Sequence, residues 1–183
     1  MDEIYIKKVL SGDTDAFLYF VDRYKDFAFS LSYSILKSEY LAEEAVQESF
    51  ISSFKNLAYF KKKSSFKTWF GRIVINNSLR KVDKRLTLSI DDISETLIKT
   101  VENTVETIGK NEQKRIISKV FDLLQANESI VLELFYLKEM SIKEIVELTG
   151  WSESKIKMLL SRGRKNFYSK LNKMLTTEIK NIL

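Results

Sequence analysis

The sequence predicts an all-α fold of two small helical domains joined by a flexible linker, and three observations carry that prediction. Proline is absent and glycine occurs only five times in 183 residues, too few turn residues for a chain of strands and tight hairpins. Apolar residues recur at three- and four-residue steps through most of the chain, the period of helices with one buried stripe. The exception is 86–110, which is polar, acidic and rich in Ser and Thr. That stretch has too little apolar surface to offset its ordering entropy, so it reads as the linker. The domains then run over 1–85 and 111–183.

Each element follows from its residues. Ile4, Val9 and Leu10 open a short amphipathic segment that stops near Ser11-Gly12-Asp13. Phe17, Phe20, Val21, Tyr24, Phe27, Ala28 and Leu31 share one stripe. A break near Lys37-Ser38-Glu39 precedes a helix with Ala42, Ala45, Val46, Phe50, Phe54 and Leu57 as its apolar face. Glu43, Glu44, Gln47, Glu48 and Ser52 fall outside, the acids in the first turns, where the helix dipole favours them. Residues 59–67 read as a basic loop flanked by aromatics. The next helix has Trp69, Phe70, Ile73, Val74 and Leu79 as apolar positions and shows Arg72, Asn76, Asn77, Arg80 and Lys81 on its other face. Its pattern fades at Asp83-Lys84-Arg85. Past the linker, Ile116, Ile117, Val120, Phe121 and Leu124 restore the helical period. Asn127 reads as an N-cap for a helix burying Ile130, Val131, Leu134 and Phe135.

The strongest local pattern lies at 141–170. Ser141-Ile142-Lys143-Glu144 is a capping-box sequence, and Ile142, Ile145, Val146 and Leu148 make a short amphipathic helix. It ends at Thr149-Gly150, where glycine supplies left-handed geometry. Ser152 caps a second helix that buries Ile156, Leu159 and Leu160, with Phe167 and Leu171 further along. Two short helices around a glycine turn match a helix-turn-helix. The second helix exposes Lys155, Lys157, Arg162, Arg164 and Lys165 against Glu153 alone. A cationic second helix suits a phosphate-lined major groove, whereas an ordinary helical hairpin with a basic face is the plainer alternative.

Charge is unevenly spread. The formal net charge is +5, yet 1–54 hold ten carboxylates against five cations. Residues 55–85 hold seven Lys and three Arg against Asp83 alone. The linker is acidic again, and a further cationic excess follows Ser152. Two basic patches flanking an acidic stretch suggest two contacts with a polyanion; solvated lysine-rich faces would account for the charge equally well.

The chain has neither Cys nor His, which removes thiolate sites and the commonest general base and metal ligand. No catalytic residue, metal or cofactor is expected. No apolar run approaches the ~20 residues of a membrane span, and Met1-Asp2-Glu3-Ile4 lacks the basic-then-apolar order of a secretory signal. A cytoplasmic protein without membrane insertion is expected.

Three stretches together resemble the extracytoplasmic-function group of sigma factors in the sigma-70 family. They are Asp15-Ala16-Phe17 with Tyr24; Ala42 through Phe50, continuing at Phe66-Lys67-Thr68-Trp69-Phe70-Gly71-Arg72 to Asn76; and Glu144-Ile145-Val146 through Arg162-Gly163-Arg164. The resemblance implies a sigma-two-like bundle, a sigma-four-like helix-turn-helix domain and promoter-specific initiation, with RNA polymerase core and promoter DNA as partners. Glu43, Glu44, Gln47 and Glu48 would dock on the clamp helices of the largest subunit, and the flap of the second-largest subunit would be a further contact. Lys61, Lys62, Lys63, Ser64, Ser65 and Phe66 would hold phosphates and an unstacked base of melted −10 DNA. Arg72, Asn76 and Arg80 would add hydrogen bonds. Lys155, Lys157, Met158, Ser161, Arg162 and Lys165 would read −35 duplex. Leu159 stands where the family commonly has arginine, and Met158 where it has a small polar residue. Asp91, Asp92, Glu95, Glu102 and Glu106 of the linker would mimic nucleic-acid charge near the RNA exit path. The resemblance leaves open an anti-sigma factor. A stand-alone helix-turn-helix regulator, or a protein-binding sigma-like regulator without initiation activity, would be the alternatives.

Overall fold

The computed structural model describes the backbone over residues 1–88 and 108–182, and side chains over 1–84 and 115–176. Within those residues the fold is entirely helical. The first half holds α1 (Asp2–Leu10), α2 (Leu18–Leu36), α3 (Glu39–Lys55) and α4 (Phe66–Leu88). The second holds α5 (Ile108–Asp122), α6 (Ala126–Leu132), α7 (Ile142–Thr149) and α8 (Glu153–Ile182). A 3₁₀ turn leads into α2, another follows α3, and a π turn (Glu133–Leu137) follows α6.

The breaks have local causes. Asp13 Oδ1 accepts from the Ala16 amide at 3.2 Å, closing the turn before α2. At the end of α2, Lys37 takes left-handed backbone with φ 54°. Ser38 then caps α3 by accepting from the Leu41 amide. Ser65 caps α4 through the Thr68 amide at 3.1 Å.

Helices α2, α3 and α4 enclose the core of the first half. Phe20 and Phe70 are fully buried, and Phe50, Phe66 and Tyr24 are nearly so. Phe20 and Phe66 rings lie 4.2 Å apart and Phe50 and Phe70 rings 4.6 Å apart. Burying each such ring is worth about 1.5–3 kcal/mol, so the cluster dominates the stability of this half. A polar layer crosses the same bundle: Ser32 and Ser78 hydrogen-bond at 2.9 Å, and Asn77 donates to Ser49 at 3.0 Å. Asn77 is 7% exposed. It therefore sits inside between α3 and α4, not on the open face that periodicity assigned to it.

Other departures are small and physical. Ile4 and Leu10 point outward while Ile6 and Val9 are buried, because α1 lays only one narrow face on α2. Phe54 is 40% exposed, in the last turn of α3. The N-cap of α6 is Gln125, not Asn127, and its side chain makes no capping bond. Helix α4 continues to Leu88 and α5 begins at Ile108, so both helices run past the expected linker boundaries. The linker carboxylates Asp91, Asp92, Glu95, Glu102 and Glu106 lie outside the described residues.

The halves touch directly. The Ser34 hydroxyl donates to Glu133, and Lys37 Nζ donates to Ser129 Oγ at 2.9 Å while lying over the Phe121 ring. On the other side, Arg72 Nε donates to the Glu147 carbonyl at 2.6 Å. Gly71 lies under Leu148: a Cβ there would come within 2.5 Å of the Leu148 Cδ1 methyl. The bare glycine leaves room for the Leu148 side chain between α4 and α7.

Candidate nucleic-acid interface

The loop before α4 is cationic because nothing opposes it on its own segment. Lys61, Lys62, Lys63 and Ser65 are exposed and Ser64 is partly so. Lys62 adopts φ 54°, which turns its side chain toward α1, where Nζ lies 3.6 Å from Glu3 Oε1. Phe66 departs from the expected loop position. It is the first residue of α4, is 2% exposed and packs against Phe20, Phe60, Tyr24 and Trp69. Trp69 and Phe70 join the apolar side as expected, the Phe60 and Trp69 rings lying 5.0 Å apart.

Beyond the loop, α4 exposes Asn76 and Arg80. Arg80 Nη2 donates to Asn77 Oδ1 at 2.8 Å, which holds the guanidinium along the helix. Arg72 is half-buried and held by the α7 carbonyl. One helix thus presents two of its three expected DNA contacts to solvent and a third to the other half of the chain.

On α3, Glu43 and Gln47 are exposed, while Glu44 and Glu48 converge on Lys81 of α4 at 3.0 and 2.8 Å. Burial works to lower the Lys81 pKa, but hydrogen bonds to Glu48 and Glu44 outweigh it and raise the pKa above its ordinary value. The acidic face is thus partly neutralised from its own bundle.

The helix-turn-helix forms as its sequence dictates. Glu144 Oε2 accepts from the Ser141 amide at 2.8 Å, and Ser141 Oγ accepts from the Glu144 amide at 3.3 Å. The Ser141 hydroxyl also donates to Glu144 Oε2 at 2.7 Å, and this bond first, with that from the Ser141 amide second, holds the Glu144 carboxyl below its usual value. Gly150 ends α7 at φ 75°. Ser152 Oγ accepts from the Lys155 amide at 3.3 Å, starting α8. Ile156, Leu159 and Leu160 are buried, leaving Lys157, Met158, Ser161 and Lys165 exposed. Lys155 lies over the Trp151 ring at 4.1 Å, and Lys157 pairs with Glu153 at 2.6 Å.

Several residues at these surfaces escaped sequence reading. Glu128 is fully buried on α6, accepting from Asn166 at 2.9 Å and facing Arg162 at 3.4 Å. Asp2, Glu3 and Arg23 border the basic loop. A glutamate with no charged neighbour in sequence gives no sign of burial, and α1 meets the loop only through the tertiary fold.

Comparison with known proteins agrees with this geometry. The family model for Sigma-70 region 2 matches residues 20–86 and that for Sigma-70 region 4 matches 114–167. The chain is similar to the ECF RNA polymerase sigma factor SigW of Bacillus subtilis, 29% identical over 170 residues that cover 87% of this chain and 90% of that one. It is 30% identical over 155 residues to a probable RNA polymerase sigma factor of Haemophilus influenzae, covering 74% and 79% respectively. The fold matches the sigma factor RpoE of Bartonella quintana, solved in complex with the anti-sigma factor NepR. That match has a TM-score of 0.67 at 19% identity, over 85% of this chain and 96% of that one.

Proposed function

We propose a mechanism that proceeds from one premise: the chain belongs to the extracytoplasmic-function group of the sigma-70 family and serves in transcription initiation. In this reading 1–85 form the unit that binds core polymerase and the −10 element, 86–110 the tether, and 111–183 the −35 reader. The protein is a binding subunit that leaves bond-making to the polymerase.

Glu43, Glu44, Gln47 and Glu48 dock on the largest subunit's clamp helices, whose cations compete with Lys81 for Glu44 and Glu48. The second half engages the flap of the second-largest subunit. Lys61, Lys62 and Lys63 track phosphates of the melted −10 strand, and Ser64, Ser65 and the edge of Phe66 border an unstacked base. Trapping such a base shifts the pairing equilibrium toward the open duplex with no nucleotide hydrolysis. Arg72, Asn76 and Arg80 add backbone or base-edge bonds. Lys155, Lys157, Met158, Ser161 and Lys165 face the −35 major groove, while Arg162 divides itself between DNA and Glu128.

Elements centred about 25 base pairs apart are separated by roughly 85 Å of duplex at about 3.4 Å per pair. Halves held together by Lys37, Gly71 and Arg72 cannot span that distance, so promoter binding separates them. At about 3.6 Å per residue at most, the stretch between Leu88 and Ile108 covers up to about 70 Å, and the width of the two halves makes up the remainder. The structure of Bartonella quintana RpoE in complex with an anti-sigma factor supports such a protein as a regulatory partner here.

The single observation that carries this reading is the pairing, in one chain, of both family segments, each exposing its own cationic face. In vitro transcription with purified core polymerase on a genomic promoter library tests it. Promoter-specific initiation requires both proteins. Specific duplex binding by the chain alone, with no effect on polymerase, would overturn it.

A further inference from the structure

A cavity of about 330 Å³ lies where α1 meets the loop before α4. Ile6, Phe60 and Phe66 line it with apolar surface, while Glu3, Lys62 and Ser64 supply polar groups. Its size falls at the lower end of the range for small-ligand sites, and Asp2, Arg23 and Ser65 complete a lining in which apolar surface and polar groups are present in similar measure. The helix α1 precedes the residues matched by the region 2 family, so the family segment supplies only part of this wall.

We propose that α1 completes the base pocket of the −10 reader, and that Glu3 makes the pocket prefer a base with an exocyclic amino group over thymine. The inference rests on the reading of 59–81 as the −10 reader and adds a selecting residue to it.

The two carboxylates of the first turn have different work. Asp2 is committed: it accepts from Tyr19 Oη at 2.8 Å and Tyr24 Oη at 2.6 Å, with Arg23 Nε at 3.7 Å. Tyr5 stacks on Tyr19 with ring centroids 3.9 Å apart. These contacts fix the start of α1 on α2. Glu3, by contrast, is 71% exposed and has Lys62 at 3.6 Å, beyond hydrogen-bond range. Its oxygens keep acceptor capacity on the cavity side.

An ionised carboxylate only accepts hydrogen bonds. Cytosine, adenine and guanine each present an amino group, and carboxylate acceptance from cytosine N4 is an established base contact. Thymine instead flanks its single ring N–H with two carbonyl oxygens, which a carboxylate repels. Lys62 supplies the complementary part: as a base enters, its ammonium exchanges Glu3 for the attached phosphate. The apolar surface accepts any ring face, and Asp2 and Arg23, which also line the cavity, are engaged with each other, Asp2 also with Tyr19 and Tyr24, so selection falls to Glu3.

The test uses the holoenzyme assembled from core polymerase and the full chain. Labelled single-stranded −10 oligonucleotides carry each of the four bases, or an abasic site, at each position in turn. At one position the abasic site weakens binding, and thymine binds about fivefold or more weaker than the best amino-bearing base, the lower bound for one base-specific contact. Glu3→Gln erases the thymine penalty at that position and leaves the others unchanged. Exposed Glu3 tolerates the change without loss of fold. If Glu3→Gln weakens every oligonucleotide equally, Glu3 is only a tie to Lys62 and the proposal falls. The same holds if the wild type shows no thymine penalty at the abasic-sensitive position. If no position responds to the abasic site, the base-pocket reading itself fails and takes this inference with it.

Discussion

Arg162 reaches back from the exposed face of α8 to Glu128, its Nη2 3.4 Å from the Oε1 of a carboxylate whose side chain is 1% exposed. Asn166 holds the other oxygen at 2.9 Å. One turn of α8 is thereby pinned to α6, and Gly163 sits between, where a Cβ would come within 3.0 Å of Leu132 Cδ1. The two partners are unequal. Removing Arg162 strands a buried charge, whereas removing Glu128 leaves a half-exposed guanidinium that water can solvate. Arg162→Met should therefore destabilise by about 2–3 kcal/mol and Glu128→Gln by only about 1 kcal/mol. Urea denaturation checks the order; a larger loss for Glu128→Gln would refute the burial argument.

How far the sequence revealed this site depends on the range of the interactions. The capping box, Gly150 and the buried Ile156, Leu159 and Leu160 were all legible, because each rests on neighbours within one or two turns. The Phe20, Phe50 and Phe70 core was legible from periodicity alone. Asn77 and Glu128 were not: polar side chains are usually outside, and these are inside because partners on other helices, Ser49 and Asn166, satisfy them. Phe66 was read with its basic neighbours, yet α4 starts there and turns the ring inward. Contacts between the halves left no periodic trace either, since Lys37, Gly71 and Arg72 act singly.

Gly71 leaves space for the Leu148 side chain where α4 meets α7. A methyl at that position meets the end of the Leu148 side chain at 2.5 Å, which a rotamer change relieves. Gly71→Ala also gains up to about 1 kcal/mol of helix propensity, so its net effect should be near zero. Gly71→Leu leaves no such escape, and overpacking costs about 1–3 kcal/mol. It should drive the halves apart. Small-angle scattering would report an increased radius of gyration for Gly71→Leu at unchanged helicity, and wild-type dimensions for Gly71→Ala.

Lys37 gives the contact between halves a pH dependence of unusual sign. Burial pushes its pKa below the ordinary lysine value, opposed by the charges of Asp122 and Glu133. Between its folded value and the unfolded value of about 10.4 the unfolded chain binds the extra proton, so stability attributable to Lys37 rises with pH. Tyr24 does not obscure this window, since burial, the Asp2 bond and the Asp2 charge push it up to about 12. As pH rises toward the unfolded lysine value of about 10.4, the wild type should therefore gain stability relative to Lys37→Met, read as the difference in urea midpoints. A difference that stays flat or falls would contradict the desolvation argument.

The basic loop should announce itself through salt. Lys61 and Lys63 are exposed, whereas Lys62 lies beside Glu3. Each lysine that neutralises a phosphate of single-stranded DNA contributes about 0.7 to the slope of log affinity against log salt. Lys61→Ala and Lys63→Ala should each lower that slope by about 0.7 in holoenzyme binding to −10 single strands. Lys62→Ala should lower it at least as much, because the same change also leaves the Glu3 carboxylate without its cation and facing the strand. Lys157→Ala should leave this slope untouched and weaken only duplexes that carry the −35 element. Equal slopes for wild type and Lys61→Ala would place the strand elsewhere, and fluorescence anisotropy from 50 to 300 mM salt, roughly the range over which such slopes are resolved, decides between them.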